Sequence, residues 1–182
     1  MLLLLAGALF CGTDPKIGKD WDTGNPLTWK DFKDTTVANT PYLAVTGTTM
    51  RYAMNYTDAN HVAVDISCFM DYSKSWVLVT AEKTDYLLGH EQYHFNIAEY
   101  WARKFRKEIS TTRFDSKNVR EKLRTIYREM FEQDHAMQTQ YDAETHHSKL
   151  KDQQKLWQDK IDKLLASVKN YADTGPVTLT LK

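Results

Sequence analysis

Residues 84–109 decide the fold, and their centre reads Leu87-Leu88-Gly89-His90-Glu91-Gln92-Tyr93-His94-Phe95-Asn96-Ile97-Ala98-Glu99. At 3.6 residues per turn, with His90 set at zero, Leu87, His94, Ile97, Ala98, Trp101 and Phe105 fall within about 80° of it. Gln92, Asn96, Arg103 and Lys107 fall opposite. An amphipathic helix is predicted, capped by Thr84 or Asp85 and running to about Ile109. His90 and His94 lie about 40° apart round the axis, so both imidazoles reach one point. Zinc, which bonds ring nitrogens at about 2.0–2.1 Å, suits that spacing. Glu91 stands about 100° from His90, beside such an ion and outside its ligand shell. A carboxylate there can take a proton from a metal-held water. Read as plain helix residues, two histidines on the apolar side would need other partners.

A catalytic zinc takes three protein ligands and keeps one position for water. Glu99 lies about 180° round the helix from His90, and Glu108 lies further along it, so neither completes the set. His61, His135, Glu144, His146 and His147 remain. The densest candidate cluster is Tyr141-Asp142-Ala143-Glu144-Thr145-His146-His147. Measured from Met137, Tyr141 and Glu144 continue a buried stripe with His147 at its edge. Measured backwards from Trp157, His146 fits better, and periodicity leaves the two open. Tyr141 reads as a core tyrosine, with a hydroxyl donor to an oxyanion as the alternative. Asp142 reads as an exposed helix carboxylate, with a hydrogen-bond partner of a ligand imidazole as the alternative. His135 reads as a surface histidine.

Working outward, a loop is predicted around Ser110 to Ser116, followed by a long helical stretch from about Lys117 to Tyr171. Its stripes Leu123, Tyr127, Met130, Met137, Tyr141 and Trp157, Ile161, Leu164, Val168 do not share one phase. A kink or break near His146 to Leu150 reconciles them. Val177 to Leu181 reads as a terminal strand. Upstream, residues 13–41 read as an irregular lead with Pro15, Pro26 and Pro41, docked through Trp29 and Phe32. Tyr42 to Met54 carries strand chemistry with a bulge or bend at Gly47. His61 to Phe69 alternates with period two, and Asp58-Ala59-Asn60 supplies a hairpin turn. Ser75 to Val79 is a further short strand or docking segment. The expected fold is α+β: a small antiparallel sheet, then the histidine-bearing helix, then a long interrupted second helix.

The chain has 182 residues, which favours one domain. Lys plus Arg number 24, as do Asp plus Glu, and this balance argues against nucleic acid as a partner. No apolar run approaches the ~20 residues of a membrane span. Residues 1–12 contain an apolar run of about 11 residues, the length of a secretory h-region, although no Lys or Arg precedes Lys16. Export to the periplasm or beyond is therefore expected, with residues 13–182 as the mature domain and a buried N-terminal element as the alternative. Cys11 suggests a lipoprotein, but Phe10 occupies the position where that signal wants a small residue. Cys68 sits in the alternating run and reads as a core residue, without a disulfide framework.

The run Leu87 to Glu99 resembles the helix of a bacterial family catalogued as a domain of unknown function, DUF922, and assigned to zinc-dependent proteases by motif. Leu27-Thr28-Trp29 with Asp31-Phe32, Ala44-Val45-Thr46-Gly47, Phe69, Ser75-Trp76, and Tyr141-Asp142 with Thr145 and His147 extend the resemblance over most of residues 27–165. It implies a zincin-like domain with His90 and His94 as zinc ligands and Glu91 as the catalytic carboxylate. The family's downstream histidine falls on His147, which selects it over His146. The resulting expectation is hydrolysis of a peptide or protein substrate, which an edge strand could hold by β-augmentation. A zinc amidase acting on cell-wall peptides and a non-catalytic module stapled by zinc are the rivals.

Overall fold

The structure is a computed structural model and describes residues 17–36 and 39–182. The predicted signal segment and Cys11 lie outside these residues. Strict alternation builds the longest hairpin: β4 (Thr48–Tyr56) pairs antiparallel with β5 (His61–Asp71), from Thr48 opposite Met70 to Tyr56 opposite Val62. Val62, Val64, Ile66, Cys68 and Met70 point to one face and are buried, as is Met50 across from Cys68. The period-two pattern thus turns a single face of the ribbon to the core. The Asp58 carboxylate accepts from the Asn60 amide at the turn, as expected of an Asx residue. β1 (Gly18–Asp20) and β7 (Val177–Thr180) share the opposite edge of β5, both antiparallel to it.

The predicted strand Tyr42 to Met54 divides at Thr46-Gly47 and serves two sheets. Its first part, β3 (Ala44–Val45), pairs antiparallel with β6 (Trp76–Leu78). β6 in turn pairs in parallel with β2 (Asp34–Thr36), giving the order β2-β6-β3. Gly47 sits where the chain crosses close to the segment before β6. A Cβ there would stand 2.4 Å from Lys74 Cβ and 2.9 Å from the Lys74 backbone, so only glycine fits. β1 and β2 also correct the expectation of an irregular lead: pairing with distant partners ordered short segments that carry no strand pattern of their own.

α1 (Asp85–Thr111) begins at Thr84, whose hydroxyl accepts the Leu87 amide at 3.1 Å. α2 (Val119–Thr145) and α3 (Lys151–Ser167) flank the predicted break. There His146, His147 and Ser148 take φ of 49°, 51° and 70° in succession. The His147 amide closes back on the Asp142 carbonyl at 2.9 Å, capping α2. Each residue held in that left-handed region costs about 1–2 kcal/mol, so the reversal is maintained against local preference.

Phe95, Ala98, Ala102, Phe105 and Ile109 of α1 join the main core with Leu123 and Ile126 of α2 and the buried face of the hairpin. Ile97 joins Tyr141, Trp157 and Ile161 in a second cluster linking the three helices. α1 is therefore the central element and is not amphipathic in the simple sense. Arg103, predicted on its solvent face, is buried together with Glu99 and Arg106. The Glu99 carboxylate accepts from Arg103 Nε at 2.8 Å and from Arg106 Nη1 at 3.3 Å. Gln92 and Asn96 dock the lead instead of facing water: Gln92 Oε1 accepts the Leu27 amide at 2.7 Å and Asn96 Oδ1 accepts Trp21 Nε1–H at 2.9 Å. The class is α+β, with antiparallel pairing dominant and three α-helices among the described residues. Among the described residues no helix is long and apolar enough to cross a membrane.

Candidate metal centre

One turn of α1 brings His90 and His94 to the same side, and their Nε2 atoms lie 3.2 Å apart. α2 packs against that turn and supplies Asp142, whose Oδ1 lies 3.1 Å from each of the two nitrogens. Tetrahedral zinc with bonds of about 2.0–2.1 Å holds neighbouring ligand atoms roughly 3.3–3.4 Å apart. The triangle of His90 Nε2, His94 Nε2 and Asp142 Oδ1 is close to that size. Among the described residues, these three form the cluster of histidine, cysteine or carboxylate groups compact enough to hold a metal. Asp142 is thus central to the site, not the exposed helix carboxylate of the sequence reading. The packing angle of α2 on α1 decides this, and no periodicity within α2 encodes it.

His147 reaches the same place from the other side of the chain reversal. Its Nδ1 lies 3.3 Å from Asp142 Oδ1. That nitrogen is buried and has no hydrogen-bond partner among the described residues. The ring meets Tyr42 edge-on, with centroids 4.5 Å apart. The three successive left-handed residues make this approach possible, because a continuous helix would carry residue 147 past the site. A donor set of two imidazoles and a carboxylate, with a third imidazole nitrogen that lies 3.3 Å from that carboxylate and makes no hydrogen bond among the described residues, suits zinc chemically.

Surrounding groups orient the clustered side chains. His94 Nδ1–H donates to Gln138 Oε1 at 2.6 Å, which leaves Nε2 to face the cluster. The Gln138 amide is fixed in turn, its Nε2 donating to the His94 carbonyl at 3.0 Å and to Asp134 Oδ1 at 3.0 Å. His90 is held by stacking on Tyr141, centroid to centroid 4.6 Å, and its Nδ1 has no hydrogen-bond partner among the described residues. The Tyr141 hydroxyl donates to the His90 carbonyl at 3.4 Å. Tyr141 is therefore a core tyrosine beneath the site, and the oxyanion alternative falls away.

Burial lowers the pKa of His90. Burial acts the same way on His94, but the hydrogen bond and charge of Asp142 outweigh it and push this group up to about 9. Although burial opposes it, hydrogen bonds from both histidines and the His94 charge hold Asp142 well below the usual carboxylate range. Asp142 and the two imidazoles are thus electrostatically coupled to one another, with His94 the counter-charge of the carboxylate.

Glu91 is buried at 2 % exposure, and its Oε2 accepts from Thr46 Oγ1 at 2.6 Å. Thr46 lies in the link between β3 and β4, so the two sheets and α1 meet at this bond. Glu91 lines a cavity of about 340 Å³ together with His90, His94, Asp142, His147 and residues 42–48. His135 is exposed on the same cavity wall. The other candidates lie elsewhere. His61 pairs with Asp58 at 2.9 Å in the hairpin, Glu144 accepts from Gln140 and Trp157, and His146 is an exposed helix cap. Thr46 and Gln138 were not foreseen; Gln138 lies one helical turn before Asp142 on α2, which becomes informative only once Asp142 is known to face α1.

Residues 27–148, more than half of the chain, match the model of a family described as bacterial protein of unknown function (DUF922). The chain belongs to that family, and the site residues His90, Glu91, His94, Asp142 and His147 all fall within the matched segment. No curated protein matches it significantly. No solved structure does so either.

Proposed function

We propose that this protein is a zinc-dependent hydrolase of peptide bonds, with Glu91 as general base. The observation that carries this reading is the place of Glu91: buried, oriented by Thr46, and on the wall of the same cavity as His90, His94 and Asp142. His90, His94 and Asp142 would hold the ion. The third-ligand role expected of His147 passes in this proposal to Asp142, because its oxygen forms the compact triangle; His147 stands beside it as a cavity-wall donor. Bound zinc would supply Lewis acidity to a carbonyl and acidify a water. Glu91 takes the proton of the attacking water and delivers it to the departing amine. Thr46 keeps the carboxylate from rotating away.

The cavity wall also offers backbone. β3 is the edge of its sheet, and the Leu78 amide donates to the Leu43 carbonyl at 2.8 Å. Antiparallel alternation then leaves the Ala44 N–H and C=O on the free edge, where an extended peptide can pair.

A second reading rests on the nearness of His147 to Asp142. If both ligate along with His90 and His94, the site is closed and the ion staples α1 to α2. Metal content per chain in wild type, Asp142→Ala and His147→Ala, with peptide turnover in Glu91→Gln, separates the readings. The hydrolase reading expects one zinc in wild type, loss in Asp142→Ala, retention in His147→Ala, and retention without turnover in Glu91→Gln. Zinc lost from Asp142→Ala and His147→Ala alike, with no turnover in wild type, supports the staple. Undiminished turnover in Glu91→Gln overturns the mechanism.

A further inference from the structure

The chain as a whole is charge-balanced, but α2 is not balanced round its circumference. With Arg120 set at zero, Arg124, Arg128, Phe131 and His135 fall within about 80° of it on one side. Gln138 and Asp142 of the metal centre fall within the same arc. One face of α2 therefore carries three arginines near its start and the wall of the metal cavity near its end. Arg120, Arg124, Arg128, Phe131 and His135 are exposed. Neither the metal centre nor the mechanism uses the arginines.

No carboxylate meets these guanidinium groups. None of the three forms a hydrogen bond or ion pair among the described residues, and Arg120 lies over the Tyr56 ring, 5.5 Å from its centroid. On α2 itself, Glu121 and Glu132 stand outside the stripe at about 100° and 120°, and Glu129 lies opposite. β4 runs alongside the stripe. Gln138 Nε2 donates to Thr48 Oγ1 at 3.5 Å, the Tyr127 hydroxyl donates to the Met50 carbonyl at 2.8 Å, and Tyr56 meets Arg120. That strand, Thr48–Tyr56, contains no Asp or Glu. Asp58, at the hairpin turn beyond it, is paired with His61. Phe131 and Tyr56 are 42 % and 47 % exposed, so apolar surface lies beside the charges.

Building on the hydrolase reading, we propose that this face docks an acidic, extended segment of the polypeptide that the metal cavity cleaves. Arginines four residues apart are separated by about 6 Å along a helix axis, and alternate side chains of an extended chain by about 6.6 Å. Carboxylates at every second position of such a segment therefore keep pace with the arginines, and each guanidinium fork matches a carboxylate in geometry. Arg128 and Arg120 precede Asp142 by 14 and 22 residues, about 21 and 33 Å along the axis. An extended chain covers those spans in roughly 6 and 10 residues, which sets the distance of the acidic tract from the bond to be cleaved. A single file of charge that ends at the cavity suits a polypeptide, whereas a bilayer needs no such alignment.

The probe is a fluorophore-labelled peptide of alternating Glu and Ser, about twelve residues long, with its Gln-Ser counterpart as the neutral control. Binding to the full chain is read by fluorescence anisotropy at low ionic strength, where exposed charges are least screened. The proteins are wild type, Glu91→Gln, the double variant Arg124→Gln/Arg128→Gln, and Lys163→Gln/Lys169→Gln, which removes two exposed charges from the far end of the chain. Wild type, Glu91→Gln and the lysine variant should bind the Glu-Ser peptide alike. The Gln-Ser peptide, and the arginine variant with the Glu-Ser peptide, should each bind about fivefold or more weakly, the scale of two exposed ion pairs. Joining the Glu-Ser tract to a cleaved peptide should lower KM in wild type, leave kcat unchanged, and have no effect in the arginine variant. No binding to wild type, binding undiminished in the arginine variant, or equal loss in the lysine variant overturns the proposal. Binding to phosphatidylglycerol vesicles without binding to the Glu-Ser peptide overturns it in favour of a membrane surface. Peptide binding as expected with no turnover of any peptide fells the hydrolase reading and leaves the stripe as the docking site of an acidic polypeptide.

Discussion

The Nδ1–H of His94 donates to the side-chain oxygen of Gln138 at 2.6 Å, and this one bond selects the imidazole tautomer that turns Nε2 toward His90 and Asp142. Because Gln138 is itself anchored by the His94 carbonyl and by Asp134, the ring has little freedom to turn. Replacing Gln138 by Leu keeps similar bulk and removes the acceptor. Zinc affinity, read by competition with a chromogenic chelator, should fall by about 10–100-fold, the usual consequence of losing such a partner. An unchanged affinity would show that packing alone orients His94.

Thr46 serves Glu91 as Gln138 serves His94. Thr46→Val removes the hydroxyl that donates to Glu91 Oε2 and preserves shape. Peptide turnover should drop roughly tenfold, in line with one hydrogen bond to a charged group. Zinc content should stay at the wild-type value, and Thr46→Ser should restore the rate. Equal loss of metal and activity would instead mean that Thr46 supports the site as a whole.

His147 lines the cavity beside Asp142, whereas its neighbour His146 does not. His146 is an exposed cap at φ 49°, a conformation that glycine adopts without strain. His146→Gly should raise stability by about 0.5–1 kcal/mol in denaturant unfolding and leave zinc content unchanged. Lost zinc in this variant would move a ligand to residue 146.

Asp134 is buried, and its carboxyl is pushed up to about 6 by that burial, against the lowering effect of Gln138. The folded state therefore holds its proton more tightly than the unfolded chain does. Stability is undiminished below the ordinary carboxylate pKa and falls as pH rises from about 4 to about 6. Asp134→Asn keeps an acceptor for Gln138 and has no such titration. Its advantage over wild type should grow across that window and level off at a limit of about 2–3 kcal/mol near neutrality. A pH-independent difference in chemical denaturation would contradict this origin.

Much of the architecture could be read along the chain, because it depends on local periodicity. The span of α1, the cap at Thr84, the hairpin turn at Asp58 to Asn60, the break at His146 to Leu150 and the closing strand all follow from residue spacing and turn chemistry. The convergence of His90 and His94 is likewise a property of one helical turn. Short strands escaped, since β1 and β2 hold their form through distant partners alone.

What the sequence by itself determined was the pair of histidines with Glu91 beside them, an arrangement fixed by 3.6 residues per turn whatever the rest of the chain does. Only the tertiary structure decided the partners of that pair. Asp142 enters because α2 crosses α1 at one particular height, and Thr46 because Gly47 lets the chain pass close to Lys74 between sheets. Burial of Glu99 with Arg103 and Arg106 was likewise decided there, since a helix covered on several sides has no solvent face for a pattern to mark. Spacing along a chain encodes neighbours within an element, whereas contacts between elements are set by packing angles that no single stretch contains.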